Sequence, residues 1–351
     1  MKLLLLGDTS VPEALGSKFL RAAKPMGLDL QVTYSSPAPQ FSPSMRRKRG
    51  KVFYRLADRR SWEWWGFQRQ LLEQIAAHPP QLTLVTGILP LSPAVFAAIH
   101  ERGGRIVNYL TDDPWNPIHR RRCFLSNLPL YDHIFSTKQA LRQRLAEAGV
   151  PSTSWLPFAY DPELHHPPKQ ATTPCADVLF VGTGAEERLP WLQAISTLPG
   201  VSCQLHGNNW DRYPTPGWQR GGAVTGEAYC NAIGSARIVL GLLRQANGDL
   251  STDRSYEIGA IGGCGLYQDS NEHRALLPGY PDEGFFSNPE ELRARAAHLL
   301  AHPELQRHLR QLGSEALRAE EHTYGARLRS ILDWGNTADG ELEATHGTSE
   351  V

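Results

Sequence analysis

Two series of short apolar runs, each run leading into a segment with helical spacing, constrain this chain more than any other feature. In the first series the runs are residues 2–6, 82–86, 105–109 and 133–136, with the clearest helices at 94–102 and 139–148. The rhythm restarts after the connector Asp161-Pro162-Glu163-Leu164-His165-His166-Pro167-Pro168, with strands at 177–181, 202–205, 238–242, 265–268 and 284–286. Alternation of this kind folds into parallel sheets covered by helices, because a parallel crossover is normally made by a helix. The chain is therefore expected to be α/β, with two doubly wound Rossmann-like domains in series facing a central cleft. The expected domains are residues 1–165 and 166–322. A further helix is expected over 323–335, where Tyr324, Leu328, Ile331 and Leu332 share a helical spacing, and disorder over 336–351, which has no apolar period. In such sheets functional loops follow the carboxyl ends of the strands.

Composition narrows the function classes. The 351 residues suit two domains, and 41% hydrophobic with 21% charged residues is ordinary globular material. Lys plus Arg and Asp plus Glu number 36 each, so nothing at whole-chain level points to nucleic acid or a membrane surface, and any charge-based function must be local. Cys123, Cys175, Cys203, Cys230 and Cys264 are scattered and form no C-x-x-C pair. That pattern fits neither a disulfide framework nor a zinc site and points to a reducing, cytoplasmic compartment. The opening Met1-Lys2-Leu3-Leu4-Leu5-Leu6-Gly7 reads as a first buried strand and turn rather than a signal peptide, and no run is long enough for a transmembrane helix.

Three segments could carry chemistry. In Val181-Gly182-Thr183-Gly184-Ala185-Glu186-Glu187-Arg188 a Gly-rich turn joins a strand to a helix, so its backbone N–H groups and the helix N-terminus could meet phosphate oxygens. It partly matches G-x-G-x-x-G, but Glu187 stands where the third Gly belongs, and a tight turn alone also calls for Gly. A nicotinamide oxidoreductase is accordingly the weakest reading. The segment from Arg244 to Ala260 is richer. Arg244, Asn247 and Asp249 lie in a polar loop, Ser251, Thr252 and Asp253 are three possible N-caps, and Arg254 and Glu257 share the face of the helix that follows. The alternative is an ordinary capped helix with a surface ion pair. In Asn108-Tyr109-Leu110-Thr111-Asp112-Asp113-Pro114-Trp115 the two carboxylates could serve a metal or an acid/base step, or could begin a turn and cap a helix. No further ligand sits at useful local spacing, so no metal site is expected.

One stretch interrupts the pattern: Arg46, Arg47, Lys48, Arg49, Lys51, Arg55, Arg59 and Arg60, followed by Trp62, Trp64 and Trp65. It reads either as a solvated loop leading into an amphipathic helix or as a basic wall, with indole faces suited to a sugar acceptor.

Several phrases together resemble the CgeB-like (spore maturation protein) branch of the group 1 glycosyltransferases. They are Tyr109-Leu110-Thr111-Asp112-Asp113-Pro114, Leu156-Pro157-Phe158-Ala159-Tyr160-Asp161-Pro162, Leu179-Phe180-Val181-Gly182-Thr183 and His206-Gly207-Asn208-Asn209-Trp210. The most specific is Arg254-Ser255-Tyr256-Glu257-Ile258, with residues 285–292 and His322-Thr323-Tyr324-Gly325-Ala326-Arg327 downstream. The resemblance spans about residues 80–332 and implies the GT-B fold. It also implies transfer of a sugar from a nucleotide-diphosphate sugar to an acceptor, with no metal or other cofactor. Retaining enzymes of this fold carry two glutamates eight residues apart, the first contacting the donor sugar and the second the nucleotide ribose. Glu257 looks like the second, and Asp249 stands at the position of the first. Asp112 stands where such enzymes often have a His.

The mechanism so implied relies on fixed cations to stabilise the nucleotide-diphosphate leaving group. Arg188, Arg244 and Arg254 are the candidates, with the backbone of Gly182, Thr183 and Gly184, and Arg254 either meets the phosphates or braces Glu257. Asp112 or Asp113 would accept the acceptor's proton. Both halves are expected to meet over the donor, with the last helix crossing back to the N-terminal half. The main rival is a catalytically inert GT-B scaffold that binds a nucleotide sugar or glycan.

Overall fold

Strands covered on both faces read as continuous apolar runs rather than as alternation. The computed structural model, which describes residues 1–36, 42–169 and 175–346, turns those runs into two parallel six-stranded sheets. The chain divides into two units, Met1–Pro157 with Tyr324–Val351, and Phe158–Thr323.

In the first unit, strands β1 (Lys2–Gly7), β2 (Asp29–Ser35), β3 (Leu82–Thr86), β4 (Arg105–Leu110), β5 (His133–Ser136) and β6 (Thr153–Trp155) pair in the order β2-β1-β3-β4-β5-β6. They are connected through α1 (Leu15–Ala23), α2 (Lys48–Leu56), α3 (Glu63–Ala77), α4 (Pro93–His100), α5 (Arg122–Ser126) and α6 (Leu141–Glu147). Leu4, Leu6, Val85, Ile106, Leu110 and Ile134 from the strands meet Phe67, Leu71, Ile75, Phe96 and Ile99 from α3 and α4 in one core.

In the second unit, β7 (Val178–Val181), β8 (Cys203–His206), β9 (Trp218–Gly221), β10 (Ile238–Gly241), β11 (Gly265–Gln268) and β12 (Phe285–Phe286) pair in the order β12-β11-β10-β7-β8-β9. Helices α7 (Leu189–Ser196), α8 (Gly226–Ser235), α9 (Asp253–Ile261), α10 (Asn271–Leu276), α11 (Pro289–Ala301) and α12 (Pro303–Leu317) surround this sheet. The strand order reverses between β7 and β10. At such a reversal the crossovers leave to opposite faces, and a crevice opens outside the carboxyl ends of the two strands.

The unit boundary lies at Pro157/Phe158 instead of near residue 165. Phe158 and Tyr160 are buried in the second core, and the Tyr160 N–H and O–H donate to the His322 and Arg318 carbonyls at 3.0 and 3.1 Å. The last helix, α13 (Tyr324–His346), belongs to the first unit. Its Tyr324 ring lies 5.3 Å from that of Phe19, and Trp334 lies 4.8 Å from His133. The expected disorder from residue 336 onward is corrected for 336–346, which continue α13. Once twelve packed residues have nucleated a helix, each further residue adds a hydrogen bond without needing an apolar face. Residues 347–351 of that expectation lie outside the described residues.

Three strands escaped the sequence reading, β2, β6 and β9, and all three are sheet edges. β6 and β9 are short, and an edge strand is half solvated, so the apolar signal is weak even in the seven-residue β2. β9 exposes Gln219 and Arg220 between Trp218 and Gly221.

Candidate functional site

A grouping of polar and cationic side chains lies at the reversal between β7 and β10. β7 ends at buried Val181 and the chain turns through Gly182, Thr183 and Gly184. Gly184 and Gly207 are needed because two loops nearly touch. A Cβ on Gly184 would stand 2.7 Å from the Asn209 carbonyl oxygen, and one on Gly207 would stand 2.0 Å from that of Gly182. The Gly182 and Gly184 N–H groups donate to the His206 and Asn208 carbonyls at 2.9 and 2.8 Å, and Trp210 Nε1 donates to the Gly182 carbonyl at 2.8 Å. These two amides, expected to meet phosphate, are thus engaged in holding the β7 and β8 loops together.

Arg188 follows. Its side chain is buried, its Nη1 donates to the Thr183 carbonyl, and its guanidinium lies 5.0 Å over the Phe180 ring. The buried Nε has no hydrogen-bond partner. Burial, reinforced by the like charges of Arg244 and Arg254, pulls the Arg188 pKa down to about 10. Glu187 and Asp249 offset part of that repulsion, and a buried arginine shifted in this way marks a candidate anion site.

After β10 the loop turns at Gly248, whose φ of +64° requires the left-handed region. The Ala246 N–H donates to Glu187 Oε2 at 2.9 Å, which ties this loop to the one after β7. Buried Asn247 donates through Nδ2 to Oδ1 of buried Asp249 at 2.9 Å. Of the three possible caps, Thr252 begins α9, and its N–H donates to Ser255 Oγ at 2.9 Å. Ser255 Oγ in turn lies 2.6 Å from Nε2 of His273, a fully buried ring whose pKa desolvation pulls down to about 4.

Arg254 and Glu257 form an ion pair, yet not the surface pair that spacing alone allows. Glu257 is 1% exposed. Its Oε2 accepts from Arg254 Nη1 and, at 2.8 Å, from the Tyr229 hydroxyl, and its Oε1 lies 3.2 Å from His165 Nε2. His165 Nδ1 accepts the Asp161 N–H at 3.0 Å. The ring proton therefore sits on Nε2 and is donated to Glu257. Arg254 is the outer partner, with its side chain 36% exposed, Nε donating to the Val181 carbonyl at 3.3 Å and the guanidinium 4.8 Å over the Tyr229 ring. Desolvation opposes its charge, but Tyr229 and Glu257 overcome that and raise its pKa. Sequence reasoning missed Tyr229 and His165. Neither stands at a telling spacing, although His165 falls in the His-rich connector.

The remaining predicted residues lie in the first unit. Asp112 follows β4; its Oδ2 accepts from Thr111 Oγ1 at 3.1 Å and its Oδ1 stands 3.5 Å from His119 Nε2. Asp113 Oδ1 accepts the Trp115 N–H at 2.9 Å, which is the turn geometry weighed for it, and Asp112 caps no helix. Trp62, Trp64 and Trp65 do not form one wall. Trp64 is buried in the core, with Nε1 donating to the Pro90 carbonyl at 3.1 Å, while Trp62 and Trp65 are exposed. Trp62 and Trp65 are three positions apart and share a side, whereas Trp64 points about 100° away from Trp65 and turns inward. Among the described residues, no group of three or more His, Cys, Asp or Glu side chains is placed to hold a metal ion, and no helix is long and apolar enough to cross a membrane.

Residues 188–333, which include Arg188, Arg244, Arg254 and Glu257, match a family model described as glycosyl transferase-like. No curated protein sequence matches the chain. Among solved structures, it is similar to sucrose-phosphate synthase from Thermosynechococcus elongatus, at 14% identity over 98% of this chain and 100% of that one, with a TM-score of 0.66. It is similar to the T4 phage β-glucosyltransferase in complex with UDP-glucose, at 12% identity over 95% and 100% of the two chains, with a TM-score of 0.57. It is also similar to TarM of S. aureus, at 10% identity and a TM-score of 0.53, over 77% of this chain but only 58% of TarM. With two parallel six-stranded sheets and these neighbours, the chain has the α/β GT-B fold.

Proposed function

We propose that the chain is a glycosyltransferase whose second unit holds a nucleotide-diphosphate sugar at the β7/β10 reversal. The observation that carries this reading is the trio Arg188, Arg244 and Arg254. Their mutual repulsion contributes to the low pKa of a buried arginine with an unpartnered Nε, and a diphosphate would relieve it. As the glycosidic bond breaks, negative charge grows on the leaving diphosphate. Cations already fixed in place stabilise that charge without reorganising. Glu257 holds Arg254 from behind. The narrower CgeB-like assignment rests on the phrase Arg254–Ile258 and its neighbours, and no metal is required in this scheme. The scattered free thiols suit a reducing, cytoplasmic compartment.

Titration calorimetry with a panel of nucleoside diphosphates, UDP first, tests the reading. Binding that is lost in Arg188→Met and weakened in Arg254→Met is the expected result. No binding to any nucleoside diphosphate would overturn it. One observation favours a second reading, a GT-B scaffold that binds the donor without turning it over. Both acids at the family's carboxylate positions, Asp249 and Glu257, are buried and held by protein donors. Slow hydrolysis of a bound nucleotide sugar would exclude that scaffold.

A further inference from the structure

Residues 42–60 hold eight basic side chains and one acid, Asp58, in a chain whose formal charge is zero. Helix α2 is fixed by its inner face. A Cβ on Gly50 would meet the Ser44 carbonyl oxygen at 1.9 Å, and the Phe53 ring lies 5.6 and 5.4 Å from Trp62 and Trp65. Ser44 is itself held by Glu63 of α3, which accepts from its N–H and hydroxyl at 2.8 and 2.6 Å. Helical geometry then turns Lys48, Arg49, Lys51, Val52, Arg55 and Leu56 outward, and all six are exposed. Val52 and Leu56, one turn apart, form an apolar strip with Arg49 on one side and Lys48, Lys51 and Arg55 on the other.

Apolar exposure is concentrated here. Among the described residues seven large hydrophobic side chains are exposed, and four belong to this hairpin: Val52 at 55%, Leu56 at 82%, and Trp62 and Trp65 at 44% each. A fifth, Ile118, is drawn to the end of α2 by Arg59, which donates to the Pro117 and Ile118 carbonyls. Asp58 and Arg59 both take left-handed backbone, with φ of 53° and 55°. Asp58 accepts the Arg122 and Cys123 N–H groups at 2.8 Å each. Strained, doubly anchored turns persist where the surroundings demand one shape, and here the turn fixes the end of α2 against the segment carrying Ile118 and Arg122.

We propose that the α2–α3 hairpin docks the protein on an anionic lipid bilayer. Cations flanking Val52 and Leu56, with the exposed Trp62 and Trp65 indoles at the start of the neighbouring helix, match the interface of such a membrane, where headgroup charge meets acyl chain. A nucleic-acid backbone would use the cations and leave Val52 and Leu56 in water, so the apolar strip decides between the two. This docking does not depend on the donor-site reading.

The test is co-sedimentation of the full chain with phosphatidylcholine vesicles and with mixed phosphatidylcholine–phosphatidylglycerol vesicles. Binding to the mixed vesicles alone, weakened by salt, is expected. Lys51→Glu with Arg55→Glu should lower the partition coefficient by about fivefold or more per residue. Val52→Asn with Leu56→Asn leaves every charge in place, alters only exposed side chains, and should lower it by at least about tenfold, with an unchanged thermal midpoint as the folding control. Failure to sediment with the anionic vesicles would overturn the proposal. So would undiminished binding of the Asn pair accompanied by equal affinity for RNA, which would mark a general polyanion surface.

Discussion

Replacing Glu257 by Gln separates a ligand-contacting acid from one that braces Arg254. Arg254, Tyr229 and the Nε2 proton of His165 each donate to this carboxylate. Glutamine keeps the shape but offers one accepting oxygen. If that oxygen faces Tyr229 and Arg254, its NH₂ faces His165, and two donors oppose each other in a buried site. An unmatched buried donor costs about 1–3 kcal/mol. Loss of the ion pair adds about 1 kcal/mol, a discounted figure because Arg254 is partly exposed and water can replace its partner. The total, about 2–4 kcal/mol, should lower the midpoint of the second unit by roughly 5–15 °C while leaving it folded. Urea unfolding of the ligand-free protein and calorimetry with UDP form the assay. Arg254→Met and the double variant close a thermodynamic cycle that isolates the pair. Stability within about 0.5 kcal/mol of wild type, together with a tenfold loss of UDP affinity, would refute the bracing argument. Glu257 would then meet the ribose directly, as the family resemblance implies.

The other predictions concern charge and packing. Arg188→Met should abolish nucleoside diphosphate binding yet leave the ligand-free protein as stable as before or more so, because a buried, repelled cation is replaced by an apolar chain of similar length; a large loss of stability measured by denaturant would show Arg188 to be structural. His133 in the first unit and His273 in the second are both pulled from 6.5 to about 4, chiefly by burial. They stay neutral in the fold while the unfolded chain takes up protons below about pH 6.5, so stability is full above that pH and falls toward pH 4, by up to about 3 kcal/mol per ring; a flat midpoint between pH 7 and 4.5 would contradict this. Ending the chain before Tyr324 removes Tyr324, Leu328 and Ile331 from full burial in the first unit and should prevent that unit from folding, seen as lost near-ultraviolet dichroism, whereas removing residues 347–351 should leave the spectrum unchanged.

Central strands were readable from sequence alone because burial on both faces demands unbroken apolar runs, and the restart of those runs announced two sheets. Arg188, Arg244, Arg254 and Glu257 were also legible, since they follow strand ends where a doubly wound sheet keeps its loops. The edge strands β2, β6 and β9 were not, because a half-solvated strand needs no such run. Nor could local spacing show that Tyr229 and His165 close on Glu257: hydrogen bonds over separations of 28 and 92 residues exist only once α8, α9 and the connector are packed together. The same holds for the glycines at 182 and 184. Sequence left them as a phosphate cradle or a tight turn, and tertiary structure assigned their N–H groups to the neighbouring loop, where a Cβ on Gly184 would strike the Asn209 backbone and one on Gly182 the Arg188 and Phe180 side chains. Chemistry of the residue types thus determined which side chains gather at the strand ends. Only the packing of segments distant in sequence decided which of them are buried partners and which face outward.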